Sequence, residues 1–213
     1  MTFLFFFLST FYGHSQIEWN VKAGMNFSRV VNKSLQGVNM KPGYQFGVGI
    51  EYYFTNHWGI QPSLMLISKG YKNEGSYSSD PTSYGSEMIP FKGVENRVYI
   101  ELPVMLAYRL NLSGAMKLIF NGGGYISYGI DGQNKYTETH EDGYSIWHNV
   151  TFSRIGLKRF DTGLTAGATF ELKHRYTIGL FGEWGLYDPS YHQFKKTYGL
   201  KNQTYGLNVG YKF

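Results

Sequence analysis

The sequence has no cysteine among its 213 residues. That excludes a disulfide-stapled scaffold, a Cys-ligated zinc or iron–sulfur centre, a thiol nucleophile and an N-terminal lipoprotein anchor. Charge is scarce. Asp, Glu, Lys and Arg make up 16% of the chain, against about 25% in a typical soluble domain. The net charge of +5 is modest and unclustered, which argues against nucleic-acid binding. There are six prolines. Long apolar runs are missing too: beyond the N-terminus the longest is Leu102 to Tyr108, far short of the roughly 18–20 residues of a spanning helix. Spanning by helices is excluded; spanning by strands is not.

What is abundant is aromatic and glycine content. Phe, Trp and Tyr reach 18%, and 27 glycines make up about 13% of the chain, near twice the usual 7%. Aromatic richness with low net charge excludes a disordered chain. Residues 1–15 read as a secretion signal: Phe3 to Leu8 is a short apolar core, and Gly13, His14 and Ser15 are a processing zone ahead of Gln16. The segment before that core, Met1 and Thr2, carries no Lys or Arg, which departs from the usual pattern. Residues 16–213 form one further domain.

That domain alternates with a period of two, the mark of strands with two unlike faces. Residues 43–54 set Tyr44, Phe46, Val48, Ile50, Tyr52 and Phe54 against Gln45, Gly47, Gly49 and Glu51. Residues 203–213 set Tyr205, Leu207, Val209, Tyr211 and Phe213 against Thr204, Gly206, Asn208, Gly210 and Lys212. Segments 18–28, 58–69, 95–109, 116–129, 159–172 and 176–186 follow suit, giving eight strands. Connections 55–57, 110–115 and 173–175 are short, whereas 29–42, 70–94, 130–158 and 187–202 are long. The pattern predicts an all-β fold: an eight-stranded antiparallel up-and-down transmembrane barrel with short periplasmic turns, long extracellular loops and both termini periplasmic.

The polar face decides which side meets lipid. It holds Gly47, Gly49, Gly163, Gly167, Gly179, Gly206 and Gly210. Glycine is a poor strand former that gains nothing facing water; inside a narrow barrel it makes room for long polar side chains. Aromatics gather at strand ends, where amphipathic rings suit the headgroup zones. The predicted girdle is Tyr44, Tyr52, Phe54, Trp58, Tyr108, Tyr128, Phe160, Tyr176, Trp184, Tyr211 and Phe213.

The stretch YIELPVMLAYRL at 99–110 resembles the central motif of the PorT-like outer membrane β-barrel family of Bacteroidetes, small barrels of the OmpX and OmpA type. GGGYISYGI at 122–130, RFDTGLTAGATFEL at 159–172, KNQTYGLNVGYKF at 201–213 and the opening IEWNVKAGMNFS at 17–28 are similar to that family's other strands. The closing Tyr211 and Phe213 resemble the signal read by barrel-assembly machinery. Trp184 to Tyr187 departs from the family pattern. The resemblance implies the outer membrane of a Gram-negative bacterium and a porin-like label. One member of the family is associated with a protease-secretion apparatus.

Candidate chemistry is sparse. The predicted inward face carries Lys22, Glu51, Glu101, Arg109, Lys117, Asp161, Glu171 and Glu183, with Lys69, Arg97 and Lys212. Both signs occur, and buried charges persist when paired, so the expectation is a salt-bridged polar plug rather than an ion path. Pro62 and Pro103 each predict a bulge or kink. His140, Glu141, Asp142 and His148 could offer metal ligands, and Ser145, His148 and Ser153 a hydrolytic site, but no spacing specifies either. No catalytic, cofactor or metal site is assigned. Loops 70–94 and 130–158, with Tyr71, Tyr77, Tyr84, Tyr136, Tyr144 and Trp147, have the composition of adaptable binding surfaces.

The expected function is a non-enzymatic outer membrane barrel with a structural, secretion-accessory or surface-interaction role. Its expected partners are outer membrane lipid, the barrel-assembly machinery, and secretion-system or surface proteins bound through those loops. The alternatives are a lipid-modifying outer membrane enzyme, or a secreted soluble barrel holding a small apolar ligand.

Overall fold

The computed structural model describes residues 17–31, 37–79, 88–140, 143–152, 157–190 and 200–213. The expected signal at 1–15 lies outside them. Within them are nine strands: β1 Ile17–Val31, β2 Val38–Tyr53, β3 Trp58–Ser78, β4 Met88–Ser113, β5 Met116–His140, β6 Gly143–Val150, β7 Phe160–Leu172, β8 Tyr176–Gly185 and β9 Lys201–Lys212.

Eight of these close a ring. β1 pairs β2 from Ile17↔Tyr52 to Ser28↔Lys41, and β9 from Asn20↔Lys212 to Val31↔Lys201. The ladder runs on through β3, β4, β5, β7 and β8 back to β9, antiparallel throughout. Closure leaves no open edge in the wall, which a structure lying in hydrocarbon requires because lipid satisfies no backbone polar group. β6 stands outside the ring. It pairs β5 from Gln133↔Val150 to His140↔Gly143, beyond Tyr128, where β7's pairing with β5 ends.

Burial follows the two-residue period. Met25, Leu180 and Val209 are 62%, 61% and 59% exposed, whereas Lys69, Arg97 and Lys212 are 0–1% exposed. Apolar rows therefore cover the outside of the ring and charge fills its inside, the reverse of a soluble ligand-carrying barrel. Glycine serves this packing at Gly163, where a Cβ would come within 2.8 Å of the Tyr125 ring.

The two ends of the ring differ. One end carries the turns 54–57, 114–115 and 173–175 together with Ile17 and Phe213, whose N–H bonds the Trp19 carbonyl. In the β2–β3 turn, Thr55 Oγ1 accepts from the N–H groups of His57 and Trp58 at 3.2 and 2.8 Å. In the β7–β8 turn Lys173 and His174 both take positive φ, 54° and 58°, the hairpin geometry that matches strand twist.

At the other end the strands outrun their expected limits. The segments read as loops 70–94 and 130–158 are largely strand: β3 continues to Ser78, β4 begins at Met88, and β5 and β6 form a hairpin. The outer parts of β3, β4, β5 and β6 make a four-stranded sheet that projects beyond the ring. At Pro62 and Pro103 the expected irregularity is a gap in the ladder and not a bulge. Pairing of β3 with β4 is interrupted between Pro62↔Val104 and Met65↔Glu101, but the register is the same on both sides. The missing N–H groups open the ladder there without a bulge. The shifts fall elsewhere: between Met40 and Gln45, around Pro42, where Ile130 is inserted opposite Val98 and Tyr99, and between Asn111 and Ser113 beside the β4–β5 turn.

Candidate functional site

Every inward-facing strand position points at one narrow lumen, so the site is built from alternate residues of eight strands. At the short-turn end Lys212, the last residue of β9, reaches Glu18 of β1 at 3.3 Å, Glu51 of β2 at 2.6 Å, and Glu171 of β7. An ammonium has three N–H donors, and three carboxylates take them. These carboxylates converge as a metal site would, but the Lys212 ammonium is the cation they surround. Lys117 adds a bond to Glu171 at 3.0 Å, and Asn20 Nδ2 donates to Glu51 at 3.3 Å. Arg109 takes no carboxylate among the described residues: its guanidinium lies 3.9 Å from the centre of the Tyr53 ring and donates to the Asn56 carbonyl.

Halfway along lies a cavity of about 50 Å³, lined by Lys22, Gln45, Ser63, Glu101, Asn121 and Glu183 among others. That is room for a water or two, not for a solute path. Lys22 faces it, and no carboxylate lies within ion-pair distance of its amine among the described residues.

Beyond the cavity sits a second ion cluster. Lys69 meets Glu101 at 2.6 Å and Glu183 at 2.8 Å, and its amine lies 4.3 Å from the centre of the Tyr125 ring. Asp161 accepts from Asn202 Nδ2 at 2.7 Å and from the Tyr125 hydroxyl at 3.4 Å. Arg97 pairs with Glu95 at 2.9 Å and donates to the Tyr99 hydroxyl at 3.4 Å. All these charges are buried. In a low-dielectric interior such ions are held by multiple partners, because a lone one would cost several kcal/mol.

The long-hairpin end of the lumen is capped by apolar side chains. Tyr99 packs edge-on against Phe152, with ring centres 5.7 Å apart, alongside Ile67 and Leu157. Val30, Tyr71 and Leu200 form a second cluster that also meets Leu157. The chain after β6 turns inward to deliver Phe152: Thr151 N–H bonds the Gly132 carbonyl at 3.0 Å, and Leu157 N–H the Thr151 carbonyl at 2.9 Å. Gly129 permits it, since a Cβ there would lie 2.6–2.8 Å from ring atoms of Phe152.

The expected plug residues thus divide between two clusters and the cavity. Lys117, Glu51 and Glu171 join the Lys212 cluster; Glu101 and Glu183 pair with Lys69, and Asp161 joins them through the Tyr125 hydroxyl; Lys22 faces the cavity, and Arg109 sits at the rim. Glu18, Glu95, Tyr125, Asn202 and the Phe152 cap escaped the sequence reading. Glu18 and Tyr125 hold inward phase on strands already counted, so the alternation itself could have named them.

The aromatic positions fall at two levels. Trp58 and Tyr108 pack with ring centres 4.8 Å apart, and Tyr211 contacts both Tyr176 and Phe213, all at the short-turn end. Tyr52 and Phe54 stand beside them, with Phe54 exposed and Tyr52 half-buried. Tyr44, Tyr128, Phe160 and Trp184 are exposed near the other rim. On the projecting sheet, Ser145 and His148 lie three apart on β6 and point to opposite faces, so they form no nucleophile–base pair. His140 pairs opposite Gly143; Tyr84, Glu141, Asp142 and Ser153 lie outside the described residues.

No curated protein sequence matches the chain. Among solved structures it is similar to the attachment invasion locus protein Ail of Yersinia pestis, with 18% identity, TM-score 0.42, and 92% of this chain and 98% of Ail covered. It is also similar to the Neisserial surface protein A, with 10% identity, TM-score 0.39, and coverages of 92% and 97%. For the outer membrane protein OprG of Pseudomonas aeruginosa the identity is 14%, the TM-score 0.39, and the coverages 94% and 98%. The family model described as "Outer membrane protein beta-barrel domain" matches residues 10–189. A closed eight-stranded ring that is apolar outside and ionic inside, matched over most of its length by that model, belongs to the outer membrane β-barrel domain family, and its place is the outer membrane.

Proposed function

We propose that this barrel neither conducts nor catalyses, and that its work is done by the sheet projecting from its long-hairpin end. The observation that carries this reading is the filled lumen: an ion cluster centred on Lys212, a second on Lys69, a cavity of about 50 Å³ between them and the Phe152 cap above. The wall is a rigid stalk for a surface that bears Tyr77, Tyr136, Tyr144 and Trp147. In this reading the chain is a PorT-like barrel of a Gram-negative bacterium with both termini periplasmic. Tyr211 and Phe213 are read by the assembly machinery, and the sheet engages a secretion or surface partner.

Conductance is the test. The full chain reconstituted in planar bilayers gives no steady single-channel current, and Glu101→Ala lowers the yield of folded barrel without opening one. A stable current from the wild-type chain, changed by Glu101→Ala at normal folding, would establish an ion path and sink the plug.

A further inference from the structure

One face of the projecting sheet carries an aromatic side chain from each of its strands. Tyr136 of β5 and Trp147 of β6 are direct partners. Phe91 of β4 stands two residues beyond Gly93, the partner of Tyr136, and Tyr77 of β3 stands two beyond Gly75, the partner of Phe91. Residues in register share a face, and diagonal neighbours on it lie within reach of long side chains. The rings therefore follow one oblique path from Trp147 to Tyr77, with the Phe91 and Tyr77 ring centres 6.3 Å apart. This face continues the lumen side, since alternation along β4 carries Arg97 and Glu95 into Gly93 and Phe91.

Glycine decides how the rings lie. A Cβ at Gly75 would stand 3.0 Å from two atoms of the Phe91 ring. A Cβ at Gly93 would stand 2.9 Å from the Tyr136 ring and would collide with the Asn73 side-chain oxygen. Phe91 and Tyr136 thus recline over glycines of the neighbouring strand and are half-buried there. A reclining ring turns a face outward, whereas an upright one shows its edge. Tyr77 and Trp147 are 42% and 56% exposed. Polar groups stand between the rings. The Asn73 amide sits beside the Tyr136 ring above Gly93, and neither it nor Asn149 has a hydrogen-bond partner among the described residues. The Tyr77 hydroxyl donates to the Glu138 carboxylate. Beyond Arg97 this face bears no lysine or arginine among the described residues.

These features select among ligands. Nucleic acid also stacks on aromatic faces, but its phosphates call for Lys and Arg, as do the anionic groups of a sulfated or uronic chain. A protein partner anchors through side chains sunk in pockets, and rings lying over glycine leave none. A neutral sugar meets the whole surface. The C–H side of a pyranose is weakly positive and rests on the negative face of an aromatic ring, while its hydroxyls donate and accept, as the Glu138 carboxylate and the Asn73 amide require. We propose that this reclining aromatic face binds a neutral polysaccharide laid obliquely across the sheet, its pyranose rings on Trp147, Tyr136 and Phe91. The proposal rests on the reading that the projecting sheet is the working surface, and it makes the partner a glycan.

The folded full chain in zwitterionic micelles is titrated by calorimetry with maltohexaose, cellohexaose and laminarihexaose, and with hexagalacturonate and a thymidylate hexamer as anionic counterparts. The wild type and Lys135→Gln, a change on the opposite face, bind at least one of the neutral sugars and neither anionic chain. Trp147→Ala and Tyr136→Ala each weaken that binding at least about fivefold, the low end for one stacked ring. Heat-modifiable migration reports folding; if Tyr136→Ala does not fold, the exposed Trp147 carries the test, with Trp147→Phe keeping most of the affinity that Trp147→Ala loses. No binding of any neutral hexasaccharide, or binding that the ring variants leave intact, overturns the site. Tighter binding of hexagalacturonate or thymidylate overturns the assignment to neutral glycan. Conductance separates this proposal from the reading beneath it: a silent barrel that ignores the sugars ends the proposal alone, and a conducting one ends the filled-lumen reading whatever the sheet binds.

Discussion

Lys212 joins three carboxylates from three other strands, and two of those strands, β1 and β2, lie at the opposite end of the chain. Its ammonium can be placed only when the last strand has met the first. Replacing it with Met leaves Glu18, Glu51 and Glu171 facing one another with Lys117 as their nearest cation. Removing one partner from a buried ion cluster costs about 3–5 kcal/mol. The expected outcome for Lys212→Met is a loss of that size in urea unfolding from lipid vesicles, with Lys212→Arg recovering part of it. A loss below about 1 kcal/mol would mean that the carboxylates are satisfied by other means. The inward placement of Lys212 could be read from alternation, but its partners could not, because alternation gives a face and not the neighbouring strand. Glu18, Glu51 and Glu171 meet through the ring's closure and register, which one strand's pattern does not contain.

At the scale of the element, strands inside the membrane and strands beyond it obey different rules. From Tyr44 to Phe54 one face meets lipid and the other the lumen, so hydrophobicity alternates and the strand is legible. From Gln133 to Thr139 neither face is packed in a core, so Gln133, Lys135 and Thr137 on one side differ little from Asn134, Tyr136 and Glu138 on the other. The two-residue signal vanishes although the hydrogen-bond ladder continues. That is why the outer part of β5, from Ile130, and β6 read as a loop. The β7–β8 turn was legible as short but not as strained. Lys173 sits at φ 54°, where a side chain other than glycine costs roughly 1–2 kcal/mol, against about 0.5–1 kcal/mol of extra chain entropy for glycine. Lys173→Gly therefore raises unfolding stability by about 0.5–1 kcal/mol, and Lys173→Val lowers it by about 1 kcal/mol. The same urea titration checks both, and a stabilising Val would contradict the turn geometry.

For the whole molecule, the absence of cysteine is an experimental convenience, since any introduced thiol is unique. Tyr144, 73% exposed on β6, lies at the end proposed to face the medium, and Gly114 lies in the β4–β5 turn at the other. In intact cells Tyr144→Cys should react with a membrane-impermeant maleimide, and Gly114→Cys only after the outer membrane is permeabilised. The reverse pattern would invert the barrel's topology.

The face assignment was legible because charge, and most of the glycine, collects on one side of the wall strands, Gly122 and Gly124 of β5 being outward exceptions, a distribution that a packed lumen rewards. The lumen's contents were legible as a list and not as an arrangement: the cap by Phe152 comes from a segment after β6 whose inward turn depends on Gly129 and Gly132, and no local pattern marks it. Both conclusions need the apolar rows to touch hydrocarbon. A nitroxide scan of β8 tests this directly, one cysteine at a time from Tyr176 to Gly185 in vesicles, measuring collision with lipid-dissolved oxygen and with a water-soluble nickel chelate. High oxygen access at Tyr176, Ile178, Leu180 and Trp184, and low access to both reagents at Thr177, Gly179 and Glu183, is the expected result. Nickel access at Ile178 and Leu180, or oxygen access in the opposite phase, would contradict it.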